Sequence, residues 1–328
     1  MPIMLRFLVA LAFVAAPVAA QPSVRLDAEQ PRLALAYVRA STPAARDSLW
    51  RMLVATRGYV RLHEREAAMN RAFTDSSFRA FLDSDTLRAR SDELARTLED
   101  WRKADFASAE KRAKKYLPAG TVIRATVFIM IKPRSNSFVF DAAHDPAIFL
   151  YLDPNTPAPK FANTAAHELH HIGLSAACPD PKIQDPRQAA VRRWLSAFGE
   201  GWAMLAAAGS AKTDPHLNSS DLERAEWRRN LVVAQDDMFR LEQFFAGIKS
   251  GAIPVDSADA KGFEFFNARP QGVWYTVGWL MTSTVERTDG RKELVKFACD
   301  PMGLIRRYQT IALKTGAPRW SEGFVQLY

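Results

Sequence analysis

The chain has 328 residues, of which 48% are hydrophobic, 24% charged and 11% aromatic. This is a globular composition with ample material for a core, and it excludes a mostly disordered chain. The net charge is +8, but the basic side chains are scattered among acids and apolar residues. With no basic run and no aromatic-plus-basic platform, nucleic acid is not expected as a partner.

In chain order, Met1 to Arg6 is a short positive opening, and Phe7 to Ala16 is apolar without interruption. Pro17-Val18-Ala19-Ala20 then places short side chains before Gln21. This is the anatomy of a secretory signal cleaved near Ala20/Gln21. The apolar run is too short to cross a bilayer, which takes about 20 residues. The mature chain is therefore expected to be exported, periplasmic or secreted, with no transmembrane segment. Its two cysteines, Cys178 and Cys299, form one disulfide or remain two buried thiols; spacing alone does not choose.

Helices are expected over Asp27–Ala40 and Pro43–Ala55, and Ser84 is placed to cap a long amphipathic helix reaching Tyr116. The period then changes. Thr121–Ile131, Ser137–Phe140 and Ala147–Leu152 are β-branched and apolar, as short strands of one sheet would be. After Pro159 the pattern is helical again, over roughly 161–174, 186–209, 219–249, 270–288 and 301–314. The expectation is an α+β, mostly helical fold. It has one domain over 21–328, divided into a helical N-terminal lobe (21–118) and a catalytic core (119–328).

His167-Glu168-Leu169-His170-His171 holds three of the six histidines in an H-E-x-x-H pattern. About one chain in 200 of this composition would carry the pattern by accident. On a helix, residues i and i+4 share one face, so His167 and His171 can bind the same Zn²⁺. Glu168 is then placed to act as general base on a metal-bound water. His170 points about 60° away from His167 and reads as a supporting or core residue. Gly173 stands where that helix would stop.

A catalytic zinc needs a third protein ligand. The extended pattern H-E-x-x-H-x-x-G-x-x-H fails here, because Gly173 comes one place early and Ala177 occupies the histidine slot. Glu200 is the best candidate. It lies off the apolar stripe Val191, Trp194, Leu195, Phe198, Trp202 and Leu205, among small residues that let another helix come close. Asp180, Asp185 and Asp214 sit in proline-rich loops and are weaker candidates. Tyr275 is a candidate donor to a developing oxyanion, with a buried aromatic as the alternative and His216 as a lesser choice. His63 and His144 have no partner pattern.

These residues resemble the gluzincin clan of zinc metallopeptidases, closest to an uncharacterised bacterial family of zinc-dependent peptidases. The matching pieces are His167–His171, Gly199-Glu-Gly-Trp-Ala203, and Tyr275-Thr-Val-Gly278-Trp-Leu-Met281 with Glu286 and Gly290, over about residues 120–300. The resemblance implies a zincin-like fold, Zn²⁺, a peptide or protein substrate, His167, His171 and Glu200 as ligands, and Glu168 as base. It also implies a sheet edge near the metal that binds extended peptide by strand addition, for which Ala147–Leu152 is the candidate; an interior strand is the alternative. Three other classes stay open: a catalytically silent zinc-binding domain recognising peptide or cell envelope, a zinc hydrolase of a non-peptide amide or ester, and a metal-free helical scaffold. The oligomeric state is not legible.

Overall fold

The computed structural model describes residues 23–179, 181–268 and 271–327. The expected signal segment lies outside them. The chain begins with β1 (Val24–Asp27) and six helices: α1 (Glu29–Arg39), α2 (Pro43–Val54), α3 (Arg57–Ala68), α4 (Asp75–Leu82), α5 (Asp85–Arg102) and α6 (Phe106–Lys114). Strands β2 (Ala125–Met130), β3 (Phe138–Phe140) and β4 (Ala147–Tyr151) follow. The rest is helical: α7 (Ala158–Ala177), α8 (Pro186–Leu195), a 3₁₀ turn (Ser196–Phe198), α9 (Gly199–Ala208), α10 (Asp221–Val232) and α11 (Ala234–Ser250). The chain then closes through α12 (Val255–Asn267), α13 (Val273–Asp289), α14 (Arg291–Val295), α15 (Pro301–Thr315) and α16 (Glu322–Leu327). Among the described residues no helix is long and apolar enough to cross a membrane.

The fold is α+β and mostly helical, with one mixed sheet in the order β1-β2-β4-β3. β1 and β4 both run parallel to β2, and β3 is antiparallel to β4. β2 is buried along its whole length, as a strand covered on both faces must be. One face sends Val127, Ile129, Ile148 and Leu150 into a core shared with α1, α5 and α7. On the other, Phe128, Phe149 and Phe138 form a stacked row across three strands, covered by Leu62 of α3. Where β2 runs out, Gln30 of α1 extends the ladder. Its amide donates to the Ile131 carbonyl at 2.9 Å and accepts from the Ile131 N–H at 3.0 Å.

Several elements differ from expectation. The long helix over Ser84–Tyr116 is two helices, because the Asp105 side chain accepts from the Ser108 N–H and caps a new start. The helix over 186–209 bends at Ser196–Phe198, which places Glu200 in the first turn of α9. α7 runs on past Gly173 to Ala177. Gly173 is there for packing: a Cβ on it would stand 2.2 Å from Leu117 Cδ1. Ala147–Tyr151 is an interior strand, so the strand-addition edge expected there is already paired on both sides.

A second core gathers α8, α9, α11, α13 and α15, including the predicted stripe of Val191, Trp194, Leu195, Phe198, Trp202 and Leu205. α7 lies between the two cores. Its Phe161, Ala165, Leu169 and Ile172 enter the sheet-side core, while the His167/His171 face turns toward α9. Within the second core, Glu286 of α13 accepts from the Tyr116 hydroxyl and the Ala211 N–H, each at 2.9 Å.

Cys178 and Cys299 form a disulfide that ties the end of α7 to the segment before α15, across 121 residues of sequence. Closing so long a loop restricts the unfolded chain. The double variant Cys178→Ser/Cys299→Ser is therefore expected to lose roughly 2–4 kcal/mol of unfolding free energy in denaturant titration. An unchanged midpoint would show that the bridge adds nothing to stability.

Candidate metal centre

His167 and His171 stand one turn apart in the middle of α7, and their rings meet edge to face at 4.6 Å. α9 brings Glu200 against them. The two Nε2 atoms are 3.0 Å apart, and Glu200 Oε2 is 3.1 Å from each. The three donor atoms form a near-equilateral triangle, with side chains only 15–25% exposed. Three donors holding one zinc tetrahedrally at 2.0–2.1 Å stand about 3.3 Å apart. The triangle matches that spacing to within a few tenths of an ångström, so the donor set fits the ion.

The electrostatics agree. Burial disfavours the charged imidazole of His171, but Glu200 more than reverses this and raises its pKa to about 9. Burial likewise opposes the Glu200 carboxylate, yet the imidazoles of His171 and His167 hold it well below the usual carboxylate range. Donors crowded this closely demand a proton or a cation between them.

A helix crossing without side chains sets the position of Glu200. A Cβ on Gly201 would lie 1.9 Å from the Trp279 nitrogen and 2.2 Å from the Gly278 carbonyl carbon. One on Gly278 would lie 2.5 Å from the Phe198 carbonyl oxygen. α9 and α13 therefore touch backbone to backbone, immediately beside the carboxylate. Tyr275 precedes Gly278 by three residues, so the same crossing delivers it to the site. Its ring stacks near His167 at 6.1 Å, which places its hydroxyl within the field of the Glu200 carboxylate. Burial, with the charges of Glu200 and Glu168 behind it, pushes this hydroxyl well above the usual phenol range. Gly201→Ala must push the α9 and α13 backbones apart and should cost about 1–3 kcal/mol. It should also weaken zinc retention against a chelator by moving Glu200. Parent-like melting and zinc affinity would show that the crossing is not what holds the carboxylate.

Glu168 is half-buried and makes no hydrogen bond or ion pair among the described residues, although its charge reaches His171 and Tyr275. His170 is fully buried beneath α7, with Nε2 donating to the Tyr116 carbonyl at 3.4 Å and the ring stacked near Trp202. Burial first, then the charges of His171 and His167, pushes its pKa down to about 3, so it is a neutral core residue.

A family described as “Putative zinc dependent peptidase” matches residues 50–317. The chain belongs to this family. No curated protein and no solved structure matches the chain. The match to the zinc-dependent peptidase family reaches back to residue 50, well before the motif resemblance beginning near 120, and so takes in most of the N-terminal helices. His167, Glu168, His171, Glu200 and Tyr275 all lie inside it.

The structure separates the remaining candidates from this centre. Asp185 caps α8 by accepting from the Arg187 and Gln188 N–H groups, and Asp214 accepts from the His216 N–H. Asp180 lies outside the described residues. His216 belongs to another cluster, with Nδ1 3.2 Å from Ser219 Oγ and its ring 4.9 Å from Trp227; burial lowers its pKa. His144 pairs with Asp141 at the surface, and His63 is exposed. Among the described residues, His167, His171 and Glu200 are the one group of three such side chains close enough to hold a metal. The sequence anticipated a close helix approach at the small residues around Glu200, Gly201 among them, but not that Gly278 of α13 is the counterpart. The signal of that pairing is a glycine directly beside each of the two functional segments, legible only once the helices are known to cross.

Proposed function

We propose that the chain is an exported zinc metallopeptidase that hydrolyses peptide bonds, with His167, His171 and Glu200 as ligands, Glu168 as general base and Tyr275 as oxyanion donor. The observation that carries the proposal is the 3 Å triangle of two imidazoles and one carboxylate, flanked by an unpaired carboxylate and a phenol. Zinc bound there supplies a Lewis acid that polarises the scissile carbonyl and makes water acidic near neutral pH. Glu168, with no protein partner to occupy it, is free to accept a proton from water and pass it to the leaving amine. Tyr275 keeps its proton and presents its O–H to charge developing on the substrate carbonyl oxygen. Export is supported by the apolar Phe7–Ala16 run and by the Cys178–Cys299 bridge, which suits an oxidising compartment.

The test combines elemental analysis of mature protein, starting at Gln21, with digestion of a peptide library. About one zinc per chain and peptide cleavage are expected. Bound zinc with no cleavage would favour a silent recognition domain, and no zinc after loading would remove the metal from the account. Tyr275→Phe should lower kcat by roughly 10²–10³ while leaving zinc content and KM nearly unchanged. An unchanged kcat would make Tyr275 a packing residue.

A further inference from the structure

A cavity of about 300 Å³ opens beside the metal centre. His171 forms part of its wall, and Leu174, Ser175 and Cys178 continue from it along α7. Phe198, Gly199 and Trp202 line the opposite side and bracket Glu200 in sequence. Both helices that carry the donor atoms therefore also wall the cavity. The segment 297–304 closes it, and the Cys178–Cys299 disulfide locks that segment to α7.

Most of the cavity wall is apolar. Leu195, Phe198, Trp202 and Leu304 point core-packed side chains at it, each no more than 3% exposed. Exposed Ser175 and Ser196 leave its mouth open to solvent. A void of about 150 Å³ already accepts a benzene ring, so this one holds the largest apolar side chains. One cation stands in the wall. Arg192 Nη2 donates to the Cys299 carbonyl at 3.0 Å, while the buried Nη1 has no partner among the described residues. A second cation entering this largely apolar space would shed part of its water and meet like charge.

We infer that this cavity is the specificity pocket of the peptidase, taking a large aromatic or aliphatic side chain from the residue beside the scissile bond and rejecting lysine and arginine. The inference rests on the peptidase reading. Zinc-loaded mature protein should cut a peptide library next to Phe, Leu, Met or Trp, and not next to Lys or Arg. Ala298→Phe and Ser175→Phe fill the cavity from different walls. Each should lower the kcat/KM ratio of a phenylalanine peptide to its alanine counterpart at least about tenfold, with zinc content unchanged. Cleavage without apolar preference, or a ratio that neither variant moves, would overturn the pocket. If no peptide is cut, it is the peptidase reading that fails, and calorimetry with N-acetyl-phenylalaninamide then judges the pocket alone. Binding to the parent but not to Ala298→Phe supports the pocket, and no binding to the parent overturns it.

Discussion

Glu168→Gln is expected to retain zinc and to lose at least about two orders of magnitude in turnover. The amide keeps the shape and half-buried position of the carboxylate, so α7 and its two imidazoles have no reason to move. What disappears is the capacity to accept a proton. Glu168 makes no hydrogen bond or ion pair among the described residues, so the substitution breaks none there. A loss of activity cannot then be assigned to a damaged fold. The measurements are zinc content, melting temperature and kcat on a peptide taken from the library. Parent-like turnover would return Glu168 to the surface of α7, and loss of zinc would make it a ligand.

Glu200→Ala is expected to release the metal, and activity with it. Glu200 Oε2 stands 3.1 Å from both imidazole nitrogens and carries the only negative charge in the triangle. Without it, two neutral imidazoles on one helix remain, and nothing joins α7 to α9 through the site. A ligand bound only by the folded state stabilises it by about 2.7 kcal/mol at a hundredfold excess over Kd, so the variant should also lose the melting increment that zinc gives the parent. Chelator competition and melting with and without zinc read both effects. If Glu200→Ala binds zinc as tightly as the parent, the triangle is not the metal site. Glu200→Gln separates charge from shape, since it fills the same space and should still bind zinc more weakly than the parent.

The local geometry of this site was legible because a helix is a local object. His167 and His171 share a face by the 3.6-residue period alone, and His170 is turned into the core by the same arithmetic. The stripe from Val191 to Leu205 was also readable, as burial of one helix face leaves a periodic record. Glu200 stood out because small residues surround it. The proline-rich loops around Asp185 and Asp214 already made them weaker candidates, and the structure shows both occupied with backbone N–H groups.

What the sequence could not decide depends on pairs of distant segments. β1 is four residues whose partner lies about a hundred positions away, and a parallel pairing leaves no turn signal to announce it. The disulfide required two ends 121 residues apart to meet, which spacing does not encode. The sequence marked the surroundings of Glu200, the glycine at 201 included, as open to another helix, but nothing in it named the glycine at 278 as the counterpart. Only the crossing of α9 on α13 turns the two glycines into the contact that sets both Glu200 and Tyr275. Local geometry thus determined which side chains of α7 face together. Tertiary packing decided what they face, because close approach of two backbones is a property of neither helix alone.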